Sequence, residues 1–188
     1  MVVITAVVAR RRAPSIDRVF SSALVTIGVT TAACLVVIFG LGVIEFAPLT
    51  LIVIAGITIG NTLPSVLLAA NRVEATISGE RQLIEGLLAL GFDRTGVVRH
   101  IGGGLVRTAL IPQIERTNVV GLIALPGAMT GLLLAGAEPV DAVLVQLIVM
   151  YLVLGSVSLA VVLTVVTALR RSLTSDLRLA GTGQRRLE

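Results

Sequence analysis

The sequence predicts an all-α fold: a polytopic membrane helix bundle with four full transmembrane helices, an N-terminal partial helix and a cytoplasmic helical segment. Three observations predict it. The 188 residues are 55% hydrophobic, and the mean hydropathy of +1.01 lies far above that of a soluble domain. All fifteen basic residues are arginines, in clusters from Arg10 to Arg18, Arg72 to Arg116 and Arg170 to Arg186. Between the clusters, positions 19–71 carry only Glu45, and positions 117–169 carry only Glu138 and Asp141. Pairs of crossings between basic clusters put every cluster on one side, and cytoplasmic loops are the ones enriched in arginine.

The elements follow in order. Residues 2–9 are an apolar run of eight residues before Arg10, too short to cross a bilayer. The positive charges follow this run instead of preceding it, so it does not read as a signal peptide. It reads as the stump of a span that begins outside this chain, or else as a short interfacial start. Four uncharged runs then match a hydrocarbon core of about 30 Å, which takes about 20 helical residues. They are 19–44, 46–71, 117–137 and 142–169, with 26, 26, 21 and 28 residues. The turns within each pair hold Glu45, or Glu138, Pro139 and Asp141, and no basic residue. Segment 72–116 and the tail 170–188 are therefore expected in the cytoplasm, with all 188 residues forming one membrane domain of the cell (inner or plasma) membrane.

Much chemistry is excluded. With no lysine, the GxxxxGK[ST] phosphate loop is impossible. Cys34 is the only cysteine and His100 the only histidine. That rules out an intrachain disulfide, a CxxC site and an HExxH motif. No catalytic constellation is visible, and metal ligands are not identifiable. The pI of about 10.9 would suit nucleic acid in a soluble protein. Here the arginines flank apolar runs, as orientation signals and anchors in anionic lipid. No interleaved aromatics offer a platform for bases.

The spans hold small and polar residues. Gly56 with Gly60, and Gly127 with Gly131, form GxxxG spacings that let helices approach closely. Pro64 follows Asn61, and Pro126 lies eight residues after Asn118. A proline removes a backbone donor and bends a helix. Interrupted, polar-bearing helices suit a lined pathway or a hinge; an ordinary kink with amides bonding between helices is the other reading. None of the four spans holds an ionisable residue, which argues against an ion-coupled carrier.

In segment 72–116, Val73, Ile77, Ile84, Leu87 and Leu88 recur at helical spacing, opposite Glu74, Ser78, Arg81, Gln82 and Glu85. Gly91 reads as a helix stop. Asp93 or Thr95 then caps a second short helix carrying Val97, Val98 and Ile101, which Gly102–Gly104 interrupt. Helix, sharp turn and helix make a plug for the groove of a soluble protein. An amphipathic segment on the lipid surface is the competing reading, and the turn at Gly91 favours docking.

Residues 108–146 carry a more specific pattern: Ile111–Pro112, Thr117, Val120–Gly121–Leu122, Leu125–Pro126–Gly127, Met129–Thr130–Gly131, Leu134–Ala135–Gly136, Pro139, Ala142 and Gln146. Upstream lie Ile54–Ala55–Gly56 and Ile59–Gly60–Asn61, and Leu90–Gly91 ends a loop. This resembles the permease subunits of Fet-type ABC transporters, assigned to iron export, whose family includes a plant branch involved in aluminium tolerance. The resemblance covers about residues 10–171. It departs at Ala128, where the family commonly pairs methionines, and at the N-terminus, where members are longer.

The resemblance implies a transporter subunit and not an enzyme, with no cofactor on this chain. ATP and Mg would bind a cytoplasmic ABC ATPase partner, and the permease would pair with a second copy. Segment 74–107 would couple to that ATPase, through Glu85, Leu87, Leu88, Gly91, Arg94 and Arg99. Asn61, Asn118, Met129, Thr130 and Gln146 are the pathway candidates, and Pro64 and Pro126 the hinge candidates. Iron as substrate comes from the resemblance alone, because thioether suits softer metals. The alternative is a truncated or accessory four-span membrane protein without transport activity of its own.

Overall fold

The computed structural model describes residues 17–42, 46–122 and 127–172. Every regular element among them is an α-helix: α1 (Asp17–Gly40), α2 (Pro48–Gly79), α3 (Arg81–Ala89), α4 (Arg94–Leu122), α5 (Gly127–Leu134) and α6 (Pro139–Ser172). The expected residues 2–9, the clusters Arg10–Arg12 and Arg178–Arg186, Glu45 and the hinge candidate Pro126 lie outside the described residues.

Among the described residues, three helices are long and apolar enough to span a bilayer: Ala23–Gly40 of α1, the whole of α2 and the whole of α6. Prolines open two of them. Pro48 and Pro139 occupy the first helical turn, where a missing N–H costs nothing. α6 is the hub and packs against α1, α2, α4 and α5, while α3 bridges α2 and α4.

Two expectations about boundaries change, and a third rests in part on residues outside those described. The run 117–137 supplies the end of α4, which begins at Arg94, and the whole of α5, with residues 123–126 outside the described residues. Gly102–Gly104 do not interrupt α4. Glycine weakens a helix by about 1 kcal/mol per residue, but here the buried stripe of Val98, Ile101, Leu105 and Ala109 holds α4 against α6. Gly102 lies within that contact: a Cβ there would stand 3.6 Å from Leu169 Cδ1 and 3.8 Å from Val165 Cγ1. Likewise α2 runs past residue 71 to Gly79, because Val73 and Ile77 are buried. The chain then bends at Glu80, whose N–H donates to the Thr76 carbonyl at 2.8 Å and whose carbonyl accepts from Ile84 at 3.1 Å.

The larger core joins Ala69, Val73 and Ile77 of α2, Ile84 and Leu87 of α3, Val97 to Ala109 of α4, and Val157, Val161, Val165 and Leu169 of α6. A smaller one joins Ala23 and Ile27 of α1 with Ile59 and Val66 of α2 and Ala160 of α6. A nine-residue helix such as α3 is not stable alone. Ile84 and Leu87, 1% and 9% exposed, anchor it, at about 1.5–3 kcal/mol per buried side chain.

Candidate functional site

The α3 promontory is shaped by its two boundaries. At its C-terminus Gly91 takes φ +86°, a left-handed conformation that glycine adopts without steric cost. Its N–H donates to the Leu88 carbonyl and that of Phe92 to the Leu87 carbonyl, both at 3.1 Å. This paired closure satisfies the last carbonyls of the helix. The expected stop at Gly91 is thus present. α4 starts with Asp93 as its cap: Oδ1 accepts the Gly96 N–H at 2.8 Å, a contact worth about 1 kcal/mol.

The turn sorts the apolar side chains into two sets. Leu87 points into the larger core and Leu88 is half-buried against it. The apolar surface left facing outward is Leu83, Leu90 and Phe92, which are 49%, 78% and 42% exposed. Sequence periodicity alone did not find these three, because a single helical face was drawn through a segment that contains two helices. The signal was present: Leu90 and Phe92 flank the glycine that ends α3. Charges rim the ridge. Arg81 Nε donates to Glu85 Oε1 at 2.7 Å between exposed side chains, a pair worth only about 0.3–0.5 kcal/mol. Arg94 and Arg99 are exposed on the first two turns of α4.

The polar residues expected in the pathway are spread over four helices. Asn61 is half-buried on α2 and donates from Nδ2 to the Ile57 carbonyl at 2.8 Å, within its own helix. Three residues on, Pro64 sits exposed inside a continuous α2, where it removes the donor for the Gly60 carbonyl. Asn118 is exposed on α4. Met129 and Thr130 are half-buried on α5, which packs on α6 alone among the described helices. Gln146 is on α6, with Oε1 buried and without a hydrogen-bond partner.

The interior also holds a band of hydroxyls not singled out by the sequence reading. Thr26 and Thr30 are buried on α1, Thr58 and Thr62 on α2, and Ser156 and Thr164 on α6. The i, i+4 spacing of the α1 and α2 pairs, and the i, i+8 spacing of Ser156 and Thr164, was the available signal. Thr62 donates to the Thr58 carbonyl at 2.8 Å and Thr164 to the Ala160 carbonyl at 2.7 Å. The hydroxyls of Thr30, Thr31 and Thr58 have no partner.

Neither GxxxG spacing is used among the described residues. A Cβ built on Gly56, Gly60, Gly127 or Gly131 would meet nothing within 4 Å. The described residues contain no group of three or more His, Cys, Asp or Glu side chains able to hold a metal.

Three bilayer-length helices on a shared hub, closed at one end by a short helical promontory, define a multi-span α-helical membrane protein. The chain belongs to the family described as "Uncharacterised protein family (UPF0014)", whose pattern matches residues 1–173. It is similar to the "Probable iron export permease protein FetB" of Escherichia coli, 34% identical over 155 residues, covering 82% of this chain and 60% of that protein. The "UPF0014 membrane protein STAR2" of Oryza sativa subsp. japonica is 33% identical over 165 residues, covering 87% of this chain and 58% of the relative. "Protein ALUMINUM SENSITIVE 3" of Arabidopsis thaliana is 34% identical over 121 residues, covering 64% of this chain and 44% of the relative. The chain thus spans 60% or less of the length of these three relatives. No solved structure is significantly similar to it.

Proposed function

We propose that this chain is the permease subunit of an ABC exporter for a metal cation of the iron class, driven by ATP hydrolysis on a separate cytoplasmic ATPase. The observation that carries the proposal is the α3 promontory: a rigid, capped helix that buries Ile84 and Leu87 inward and presents Leu83, Leu90 and Phe92 outward. Exposed leucines and an aromatic beside charged residues are what a groove on a soluble partner recognises. The similarity to a chain named as an iron export permease supports the substrate class.

In this reading α3 seats in the ATPase, and its movement reaches the membrane through the shared core of α2, α4 and α6. Glu85, Gly91, Arg94 and Arg99 keep the coupling role expected of them, Glu85 by fixing Arg81 and Gly91 by setting the turn. Leu87 and Leu88 act from inside, by holding α3 to its neighbours. Asn61, Asn118, Met129, Thr130 and Gln146 supply uncharged ligands along the route, with Pro64 and Pro126 as bending points. The basic loops face the cytoplasm, and two copies pair, with the open GxxxG faces available to that pairing.

The test is co-purification of the chain, expressed in its own cells, with an ABC ATPase from the same membranes. Leu90→Asp with Phe92→Asp is expected to abolish retention of the ATPase while the permease still inserts. Retention equal to wild type contradicts the docking role of α3.

A further inference from the structure

The register between α4 and α6 carries an inference about two charges that the sequence grouped with the cytoplasmic arginines. The two helices run antiparallel. Val97, Val98, Ile101, Leu105 and Ala109 share a core with Leu169, Val165, Val161 and Val157, and Gly102 lies against Val165 and Leu169. Glu115 is thirteen residues further along the same continuous helix. At 1.5 Å per residue that is about 20 Å, level with about residue 154 of α6. The uncharged run of α6 extends from Ala142 to Leu169, with Asp141 before it and Arg170 after it. Glu115 and Arg116 therefore stand near the middle of a stretch whose two ends mark the bilayer surfaces.

Both side chains are exposed on the surface of this chain, as are Ile111, Ile114, Asn118 and Val119. Over these turns α4 buries only Gln113, with Thr117 half-buried. Neither Glu115 nor Arg116 forms an ion pair with another described residue. Ionised groups at that depth do not face lipid tails; they face a partner or water.

We infer that this face of α4 meets the same face of a second copy, with Glu115 of each chain paired to Arg116 of the partner subunit at the middle of the membrane. The inference rests on the permease reading above and names the contact within its proposed dimer. Charge complementarity selects the occupant. Adjacent opposite charges are self-complementary across a two-fold axis, so one contact made twice satisfies all four groups. With the axis along the membrane normal the two α4 helices lie at equal heights. Glu115 then differs from Arg116 of the partner subunit by about 1.5 Å along that axis. Exposed Asn118, one turn on, adds an uncharged hydrogen-bonding group beside the pair. A lipid-facing or foreign surface would have to supply an anion and a cation at the same depth.

Charge reversal tests this on the whole chain in nanodiscs or detergent without any ATPase, with mass measured by light scattering or subunits counted by photobleaching. Glu115→Arg alone and Arg116→Glu alone each place like charges opposite one another. Each is expected to weaken the dimer by about a hundredfold or more. The double variant Glu115→Arg/Arg116→Glu restores the opposite pairing and is expected to recover the dimer, while helical content in all three stays at the wild-type level. A monomeric wild type overturns the inference, as do single variants that dimerise like wild type. A double variant no better than the singles also overturns it, because a different partner covering this face would not be rescued by the swap. None of these results bears on ATPase retention, so failure here leaves the coupling role of α3 to its own test.

Discussion

Asp93 and Gly96 are matched to each other within van der Waals limits: Asp93 Oδ1 accepts the Gly96 N–H at 2.8 Å, and a Cβ on Gly96 would lie 2.9 Å from that oxygen. The same Cβ would stand 3.1 Å from Phe92 Cδ1. The cap on α4 and the position of Phe92 therefore depend jointly on a glycine at 96. Gly96→Ala is expected to remove most of the cap, about 1 kcal/mol, and to displace the Phe92 ring. Hydrogen exchange should show faster exchange at the amides of Val97 and Val98; unchanged protection would mean that the cap tolerates the methyl group.

The inward and outward leucines of α3 should respond oppositely. Leu87→Ala opens a cavity in the larger core and is expected to cost about 2–5 kcal/mol, read as a lower Tm. Leu90→Ala, at a position 78% exposed, should change stability by less than about 0.5 kcal/mol while weakening ATPase retention. Equal stability losses at both positions would contradict the sorting described above.

The unpartnered hydroxyls offer a gain. Thr30 and Thr58 are fully buried and unbonded, whereas Thr62 is bonded to its own helix. Thr30→Val and Thr58→Val remove a buried unsatisfied group and are expected to stabilise the protein by about 1 kcal/mol each. Thr62→Val gives no such gain. A thermal melt of the three variants in one detergent separates these outcomes.

Gly91→Ala places a side chain where φ is +86° and is expected to cost about 1 kcal/mol. It should also reduce transport more than stability, because the turn aims Leu90 and Phe92. A loss of Tm with undiminished transport would remove Gly91 from the coupling apparatus.

How far the sequence disclosed this protein can be seen in particular residues. The uncharged runs made α1, α2 and α6 visible, since bilayer length and lack of charge are properties of the chain itself. The stop at Gly91 and the cap at Asp93 were legible for the same reason: turn chemistry is local. The continuity of α4 through Gly102–Gly104 was not, because packing on Val165 and Leu169 decides it and that contact joins distant positions. The apolar face through Val73, Ile77, Ile84 and Leu87 was legible as periodicity; that it turns inward was not, because its packing against α4 and α6 joins distant positions. Glu115 and Arg116 group with the cytoplasmic arginines along the chain, and the depth inferred for them above draws on the register between α4 and α6, which joins distant positions. Gln113 and the threonines of α1 and α2 were passed over since each is unremarkable alone.

The most direct test of the permease reading is iron accumulation in cells making this chain and the ABC ATPase that co-purifies with it, together and separately. The account predicts lower cellular iron only when both are present, with the effect lost in Leu90→Asp/Phe92→Asp. Cellular iron that is the same with and without the pair would contradict it.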